Sequence, residues 1–250
     1  MKGRTVLITG GARRLGATIA RTLAAGGYRV VIHYNTSGDD ADQLAADLGG
    51  VAVEADLNDG VAAAGLIYRA RRAIGGPVEA LVNSASAFDF DRPPVIRPDH
   101  LARMLAINLS APVLLASALA AQDDVAEGAV VNLIDQKVVN LNPDFFSYSC
   151  AKVALAGATT MLAQALGPRV RVNAVSPGIT LPSGDQTEAE FAQASCRNLL
   201  QRPVGADRVA DAVAYLLGAR GVTGQNLFVD CGQRFLPRDG DVMFEGRAGG

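Results

Sequence analysis

The chain has 250 residues, 49% of them hydrophobic, and is long enough to bury the core of one α/β domain. A formal net charge of -2 and scattered arginines give no basic stripe, so neither nucleic acid nor a membrane is an expected partner, and a small molecule is. Three cysteines and two histidines are too few for a disulfide framework or a multi-histidine metal centre, and they indicate a reducing, cytoplasmic setting without a metal site.

The N-terminal apolar run is too short for the core of a signal peptide, and no run reaches the length of a transmembrane helix. Seven short apolar runs alternate with segments of helical periodicity, and we expect a strand at each run. The runs read TVLIT, YRVVIHY, VAVEAD, EALVN, AVVNLID, VRVNAVS and NLFVD. Because they are continuously apolar, they predict a parallel sheet covered by helices on both faces, which is a doubly wound (Rossmann) α/β fold in a single domain over residues 1–250.

The first predicted strand leads into a glycine-rich turn and an amphipathic helix, TGGARRLGATIARTL. Gly10 and Gly16 lie in the turn, and Leu15 belongs to the apolar face of the helix. Glycine lets the backbone approach a ligand closely, and the N–H groups and dipole of a helix N-terminus favour anions. The turn therefore predicts a site for the phosphates of a dinucleotide, the alternative being an ordinary connection between a strand and a helix.

The second predicted strand ends in HYNTS, where an NAD-dependent enzyme would place a carboxylate on the ribose 2′-hydroxyl. Asp39 and Asp40 come several residues too late for that role. Arg13 and Arg14 lie in the neighbouring glycine turn, and a guanidinium can bind a 2′-phosphate through two hydrogen bonds. The chain is therefore expected to bind NADP(H) rather than NAD(H), unless the two arginines are only solvated surface residues.

Tyr148 and Lys152 stand four residues apart in the segment FFSYSCAK, which places them on one face of a helix. An ammonium beside a phenol favours the ionised phenol, so we expect Lys152 to lower the pKa of Tyr148 and let it exchange a proton near neutral pH. Asp135, which closes the apolar run AVVNLID, precedes this pair. Asp135, Tyr148 and Lys152 are the candidate catalytic residues.

With these motifs, the sequence resembles the short-chain dehydrogenase/reductase family from about Thr5 to Gly232. The matching segments are TGGARRLG, ADL at 55–57, NSAS at 83–86, Asn108, YSCAK, the proline and glycine at 177–178, and VTGQNLFVDCG. The resemblance implies a seven-stranded sheet in the order 3-2-1-4-5-6-7, hydride transfer to or from a nicotinamide, and a homotetramer.

The resemblance also implies which residues contact the cofactor. Asp56 should contact adenine, Lys152 the nicotinamide ribose, and residues 177–180 the carboxamide. Together with the glycine turn and the end of the second strand, the predicted cofactor-binding set is Gly10, Arg13, Arg14, Leu15, Gly16, His33, Tyr34, Asn35, Ser37, Asp56, Leu57, Asn83, Ser84, Ala85, Ser86, Asn108, Tyr148, Lys152, Pro177, Gly178 and Thr180.

Two positions depart together from the general pattern of the family. Arg14 stands where most members have glycine, and Asp135 stands where they have a catalytic serine. With the HY...S ending of strand two and the phenylalanine of NSASAF, these departures resemble the pteridine reductases and the bacterial dihydromonapterin reductases. A carboxylate would repel the oxyanion that grows on a ketone, whereas the amino and ring N–H groups of a pterin match it. We therefore expect NADPH-dependent reduction of a C=N bond in a dihydropterin.

By the same resemblance, Phe88 stacks on the pterin ring, while Ser86 and Arg14 hydrogen-bond its edge. The predicted substrate-binding set is Arg14, Ser86, Phe88, Asp135 and Tyr148. Two alternatives stay open: Phe88 can be a loop aromatic that covers the core, and Asp135 can be a strand-end residue that caps the next turn.

Thr36 stands where trypanosomatid pteridine reductases have an arginine, so the 2′-phosphate would depend more on Arg14, Asn35 and Ser37. Residues 177–203 are rich in Pro, Gly, Ser and Thr and predict a mobile substrate loop with a short helix. Residues 236–250 lack periodicity, and their order is expected to depend on docking to another part of the molecule.

Two rival functions remain from the sequence. One is a short-chain reductase acting on a ketone, sugar or 3-oxoacyl substrate, with Asp135 protonated by burial and donating as a serine would. The other is a regulatory protein that binds NADP(H) and has lost turnover, against which the intact Tyr148 and Lys152 argue. The sequence does not separate dihydrobiopterin, dihydromonapterin and dihydrofolate as substrates.

Overall fold

The computed structural model describes residues 3–182 and 186–244. Within these ranges, seven strands form one all-parallel sheet in the order β3-β2-β1-β4-β5-β6-β7, which confirms the predicted fold. The strands are β1 Thr5–Thr9, β2 Arg29–Tyr34, β3 Val51–Glu54, β4 Ala80–Asn83, β5 Gly128–Leu133, β6 Val170–Pro177 and β7 Asn226–Val229.

Helices connect the strands, as right-handed crossovers between parallel strands require. The α-helices are α1 Arg14–Ala25, α2 Gly38–Leu48, α3 Gly60–Ile74, α4 Pro98–Leu105, α5 Ala111–Ala120, α6 Phe146–Leu166, α7 Glu188–Ser195 and α8 Ala206–Gly218. A π-helical turn, Ala106–Ser110, joins α4 to α5, and short 3-10 turns span Gln136–Val139, Gln233–Phe235 and Val242–Phe244.

The sheet is buried on both faces, and neighbouring residues of β1 show why its sequence is continuously apolar. Val6 and Ile8 pack into the layer that contains α1, α2 and α8, whereas Leu7 packs into the layer with α3 and α5. Successive side chains of a strand point to opposite faces, so a sheet with two cores needs an apolar residue at every position.

The carboxyl ends of the strands meet at one edge of the sheet. Between β1 and β4 the strand order reverses direction, and ligands of doubly wound folds bind in the crevice at such a switch point. β5 ends at Leu133, so Asp135 lies two residues beyond the strand and not at its last position. The predicted strand was therefore two residues too long at this end.

The helical stretch Pro98–Ala120 is long and apolar enough, with a mean hydropathy of 1.5, to cross a membrane. The expectation that no run reaches transmembrane length therefore does not hold by length and composition alone. Leu115 and Leu119 of this stretch are fully buried in the core layer against the sheet. A core helix of a soluble protein passes the same test, so the stretch is weak evidence for a membrane span.

Two segments near the carboxyl edge contain the predicted substrate loop and tail. α7 supplies the short helix expected in residues 177–203, of which 183–185 lie outside the described residues. Residues 236–244, called the C-terminal segment below, pack against residues 135–145, called the catalytic loop. The rest of the predicted tail, 245–250, lies outside the described residues.

Candidate active site

A cavity of about 560 Å³ opens at the carboxyl edge of the sheet, beside the switch point. It brings together much of the predicted site from five separate segments of the chain. The predicted residues that line it are Gly10, Arg13, Arg14, Leu15, Gly16, Ser84, Ala85, Ser86, Phe88, Asp135, Tyr148, Lys152, Pro177, Gly178 and Thr180. Its size suits a small organic ligand.

The glycine turn at the cavity edge has the geometry of an anion site. Gly10 has φ +60°, and a Cβ there would lie 2.9 Å from Cα of Ala85, while a Cβ on Gly16 would lie 2.1 Å from the carbonyl oxygen of Gly10. The N-cap of α1 makes no side-chain capping bond, and its first turn holds no acidic residue. The N-terminal N–H groups of α1 therefore face the cavity without a competing carboxylate, which suits a phosphate.

Arg14 takes the left-handed conformation, φ +52°, at the first position of α1. Glycine adopts this conformation without strain, whereas an arginine there costs free energy. The Arg14 guanidinium lines the cavity and donates to the carbonyl oxygen of Pro182 in the substrate loop. Arg13, in contrast, forms an exposed ion pair with Asp40 at the start of α2. The Arg13 guanidinium, which was predicted to bind the 2′-phosphate, is thus paired with a carboxylate in this structure.

His33 has a different position from the predicted one. Its ring is 2% exposed and lies behind the glycine turn, where Nδ1 accepts from the Gly10 N–H at 3.0 Å and Nε2 lies 3.1 Å from the carbonyl oxygen of Ala55. Burial lowers the pKa of His33 to about 4, so the ring is neutral. His33 supports the turn that faces the cavity, and its side chain does not line the cavity.

Other predicted cofactor residues also lie outside the cavity wall. The residues concerned are Tyr34, Asn35, Ser37, Asp56, Leu57, Asn83 and Asn108. The first five lie at or beyond the carboxyl ends of β2 and β3, next to the glycine turn, and their contacts with a cofactor stay a prediction. Leu57 is buried in the core, and Asn83 donates through its amide to Asn132 on the neighbouring strand at 2.8 Å.

Asn108 is fully buried in the π-helical turn between α4 and α5, not in the cavity wall. Its amide nitrogen donates to the carbonyl oxygens of Ala87 and Met104, and its amide oxygen accepts from the hydroxyl of Ser86 at 2.8 Å. Asn108 therefore holds the segment that carries Ser86 and Phe88, which do line the cavity. A direct contact of Asn108 with the cofactor stays a prediction.

Asp135 and Tyr148 form the centre of the site. The Tyr148 hydroxyl donates to Oδ2 of Asp135 at 2.8 Å, and the Lys137 backbone N–H donates to Oδ1 at 2.8 Å. Asp135 thus caps the 3-10 turn that follows it and binds the tyrosine at the same time. Asp135 therefore has the turn-capping role that the sequence left open as the alternative, and its catalytic role stays a prediction.

The protonation states differ from the expected ones. Burial and the Asp135 carboxylate raise the pKa of Tyr148 well above its ordinary value. Burial also raises the pKa of Asp135, against the opposing effect of its hydrogen bonds. The expectation that Lys152 lowers the pKa of Tyr148 is therefore wrong for this geometry. Tyr148 is a neutral phenol and a hydrogen-bond donor.

Lys152 is buried one turn along α6, and its ammonium donates to the carbonyl oxygen of Leu133 at 2.8 Å. Nζ lies 5.6 Å from the centre of the Tyr148 ring. Burial lowers the pKa of Lys152 to about 8, with the Asp135 charge acting in the opposite direction. The lysine is thus tied to the end of β5, and it lines the same cavity as Tyr148.

Phe88 belongs to an aromatic cluster and lines the cavity. Its ring stacks on Phe145 at a centroid distance of 4.0 Å and meets the edge of Tyr148 at 4.7 Å. The two alternatives for Phe88, core covering and a role at the site, are therefore compatible. Its stacking on a pterin stays a prediction.

The first turn of α6, which carries Tyr148, is held from outside the helix. Asp91 accepts hydrogen bonds from both the backbone N–H and the hydroxyl of Ser147. A carboxylate at a helix N-terminus satisfies free N–H groups and interacts favourably with the dipole. The sequence offered no signal for this contact, because Asp91 lies in a loop 56 positions before Ser147.

The cavity also contains residues that the sequence analysis did not name. They are Leu133, Ile134, Gln136, Lys137, Ile179, Leu181, Gln186, Gln233, Asp241 and Val242. Gln136 and Lys137 directly follow Asp135, and that proximity was a usable signal. Asp241 and Val242 belong to the C-terminal segment, whose sequence has no periodicity to place it. No group of three or more His, Cys, Asp or Glu side chains in the described ranges could hold a metal ion.

Comparison with known proteins gives consistent matches over nearly the whole chain. A family model described as Enoyl-(Acyl carrier protein) reductase, of the short-chain dehydrogenase type, matches residues 10–234. The structure of FolM alternative dihydrofolate reductase 1 from Brucella canis, complexed with NADP, is similar with a TM-score of 0.87 and 40% identity, covering 93% of this chain and 95% of that one.

Two curated relatives have comparable coverage. An uncharacterized oxidoreductase from Methylorubrum extorquens is 32% identical, covering 94% of this chain and 99% of that protein. The dihydromonapterin reductase of Klebsiella pneumoniae is 28% identical, covering 92% of this chain and 96% of that protein.

Proposed function

The chain belongs to the short-chain dehydrogenase/reductase family, and we propose that it is an NADPH-dependent reductase acting on a C=N bond of a dihydropterin. Both oxygens of Asp135 accept hydrogen bonds, from Tyr148 and from the Lys137 backbone N–H. This one observation carries the proposal, because donors at both oxygens favour an ionised Asp135, which is an acceptor where a ketone reductase needs a donor.

An ionised Asp135 selects for a substrate with N–H groups. A protonated Asp135 could mimic serine and donate to a ketone oxygen, and its burial favours that form. In the described geometry, however, Tyr148 and the Lys137 backbone N–H each contact one oxygen, and donors at both oxygens favour the ionised carboxylate. A dihydropterin supplies ring and amino N–H groups that match a carboxylate. The relatives named dihydromonapterin reductase and alternative dihydrofolate reductase support the same substrate class.

The glycine turn and α1 fit the phosphates of NADP(H), since a side chain on Gly10 or Gly16 would fill the space and no carboxylate competes at the helix end. We assign the 2′-phosphate to the region of Arg14, Asn35 and Ser37. Lys152 would hold the nicotinamide ribose. When bound, the reduced nicotinamide supplies the hydride that the C=N carbon accepts.

Tyr148 provides the proton for the ring nitrogen in this proposal. Its phenol is neutral, and its one O–H proton points to Asp135 in the described geometry, so the hydroxyl has to turn from Asp135 to the substrate nitrogen and break that bond. As the C=N carbon receives the hydride, the nitrogen gains electron density and takes the phenolic proton. The products are a C–H bond, an N–H bond and a tyrosinate, to which a proton returns from solvent. Phe88 would stack on the pterin, and Ser86 and Arg14 would bind its edge.

We further propose one domain over residues 1–250, a substrate loop at 177–203, a cytoplasmic location and a homotetramer. Met161 on α6 and Tyr215 on α8 are 68% and 59% exposed, which suits subunit contacts on these helices. Light scattering on the purified protein would measure the oligomeric state. A monomer at assay concentration would contradict that part of the proposal.

Loss of NADPH absorbance would test the reaction, with 7,8-dihydrobiopterin, 7,8-dihydromonapterin, dihydrofolate and a 3-oxoacyl thioester as substrates. The same panel with NADH measures cofactor preference. We expect turnover of at least one dihydropterin, with NADPH preferred. Turnover of the thioester alone would show that Asp135 replaces serine as a donor, and tight NADPH binding without any turnover would show a regulatory protein.

A further inference from the structure

The C-terminal segment is bound to the catalytic loop by side chains spread along that loop. The amide of Asn140 donates to the carbonyl oxygen of Leu236 at 3.0 Å, and the amide of Asn142 donates to that of Gly240 at 3.1 Å. The backbone N–H of Asp241 donates to Oδ2 of the buried Asp144 at 2.7 Å. These hydrogen bonds, at residues 236, 240 and 241, hold the C-terminal segment against the catalytic loop.

Lys137 joins the two segments through a buried ion pair. Its side chain is 5% exposed, and its ammonium donates to the carbonyl oxygen of Asp144 at 2.7 Å and to Oδ2 of Asp241 at 3.1 Å. The ammonium also lies 5.4 Å from the centre of the Phe145 ring. Burial of an ammonium is costly unless it is paired and hydrogen-bonded, so Asp241 is the partner that lets Lys137 occupy this position.

The same lysine contacts the catalytic centre through its backbone. Its N–H donates to Oδ1 of Asp135, whose Oδ2 accepts from Tyr148. Hydrogen bonds at the two ends of Lys137 therefore connect Asp241 to the catalytic centre: the ammonium binds Asp241, and the backbone N–H, joined to it through the covalent side chain, binds Asp135, which accepts from the Tyr148 hydroxyl. Asp241 and Val242 also line the cavity, so the segment contributes to its wall.

Aromatic contacts form a second link between the segments. Phe244 stacks on Phe145 at a centroid distance of 5.9 Å and meets the edge of Phe90 at 5.4 Å. Phe145 in turn stacks on Phe88, which lines the cavity. The C-terminal segment thus contacts both the polar and the aromatic side of the site.

We propose that the C-terminal segment, residues 236–244, is part of the active site, and that the Lys137–Asp241 pair positions Asp135 for proton transfer by Tyr148. Lys137 and Asp241 are positioning residues, since they act through Asp135. The role in catalysis rests on the proposed dihydropterin reduction, whereas the mechanical link between the two segments does not.

Steady-state kinetics of Asp241→Asn, Lys137→Met and the double variant test the catalytic role. Asp239→Asn is the matched control, because Asp239 is an exposed carboxylate in the same segment. We expect each single variant to lower kcat for the dihydropterin roughly ten-fold through misplacement of Asp135, while the KM for NADPH stays at the wild-type value. The kcat of the double variant should be no lower than that of the less active single variant, because both changes break the same connection between Asp241 and Asp135.

Hydrogen exchange of the same variants tests the link without any substrate. In Asp241→Asn, amides of both the C-terminal segment and the catalytic loop, including the Lys137 N–H, should exchange faster than in the wild type and in Asp239→Asn. Faster exchange in the segment alone, with the catalytic loop fully protected, would overturn the proposal. So would independent, multiplying losses of kcat in the double variant.

The two readouts separate this proposal from the proposed function. If the wild type reduces no dihydropterin, the assigned reaction fails, and exchange in the catalytic loop still decides whether the pair positions Asp135. If Lys137→Met does not fold, Asp241→Asn retains the buried lysine and provides the decisive comparison. Wild-type kcat in a folded Asp241→Asn variant would show that the pair has no positioning role.

Discussion

The Tyr148 hydroxyl donates to Oδ2 of Asp135 at 2.8 Å, and the buried Tyr148 and the half-buried Asp135 line the same cavity as the glycine turn. The bond makes one residue the proton donor and the other the acceptor that orients it. It also separates this site from one built around a serine, because a carboxylate accepts where a hydroxyl can donate. The consequences for substrate choice are directly measurable.

Replacement of Asp135 by serine should change the substrate. The variant regains a donor for a ketone oxygen and loses the acceptor for pterin N–H groups, so dihydropterin turnover should fall roughly 10²-fold or more while ketone reduction rises. NADPH oxidation with both substrates measures the change. Asp135→Ala, which offers neither a donor nor an acceptor, and Tyr148→Phe serve as comparisons that should lose pterin turnover without gaining ketone turnover. Full dihydropterin activity in a folded Tyr148→Phe variant would rule out the proton donor assigned here.

The pH dependence of pterin reduction should show an acid limb due to Asp135. Burial raises the pKa of this carboxyl, and the proposed binding of pterin N–H groups needs the ionised carboxylate, which accepts hydrogen bonds more strongly than the neutral acid. Activity should therefore be present above the raised pKa and decline as pH falls through it, at a pH above the ordinary value of about 4 for aspartate. The profile of kcat/KM, recorded by pH jump to avoid acid unfolding, measures the limb. A flat profile down to the ordinary range would contradict the assigned state.

Stability should decline in mild acid because of His33. Its ring is buried and neutral, and burial lowers its pKa to about 4 in the folded chain. The unfolded chain binds a proton at about pH 6.5, so below that pH the free energy of unfolding should decrease until the folded pKa is reached. The full loss is on the order of 3 kcal/mol. Urea denaturation at a series of pH values measures it.

His33→Asn is the control for this acid dependence, because asparagine can accept from Gly10 and does not titrate. Its stability should be lower at neutral pH and nearly independent of pH in the same window. If the wild type and His33→Asn lose stability in parallel, another group is responsible.

The fold was predictable because its signals are local, whereas parts of the site depend on long-range contacts. Continuous apolar runs identify buried parallel strands, and the four-residue spacing of Tyr148 and Lys152 is set by one helix. Asp241 lies 104 positions from Lys137, in a segment without periodicity, so no local pattern could pair them. For the same reason, the sequence did not show that the His33 ring lies behind the glycine turn, between Gly10 and Ala55.

The sequence also led to a wrong prediction for the pKa of Tyr148, because it did not show the contacts of the Lys152 ammonium. Helical spacing correctly predicted that Lys152 and Tyr148 share a face, but not where the ammonium points. The Lys152 ammonium donates to the carbonyl oxygen of Leu133, and Asp135 accepts the hydrogen bond of the Tyr148 hydroxyl. Desolvation then acts on all three groups, and its size depends on burial that a linear sequence does not show.

Arg14 should lower the stability of the fold and increase the affinity for NADPH. It has φ +52°, where glycine is unstrained, and its guanidinium lines the cavity. Arg14→Gly removes both the strain and the guanidinium, while Arg14→Ala removes the guanidinium and keeps the strained conformation. Both variants should raise the Kd for NADPH roughly ten-fold, because a charge-assisted contact to phosphate is lost.

The free energies of unfolding should separate the same two variants. Arg14→Gly should be more stable than Arg14→Ala by about 1 kcal/mol, since a left-handed conformation disfavours any Cβ. Fluorescence titration with NADPH and urea denaturation measure the two quantities. Wild-type affinity in both variants would remove Arg14 from the cofactor site, whereas equal stability would show that the conformation at this position carries no strain.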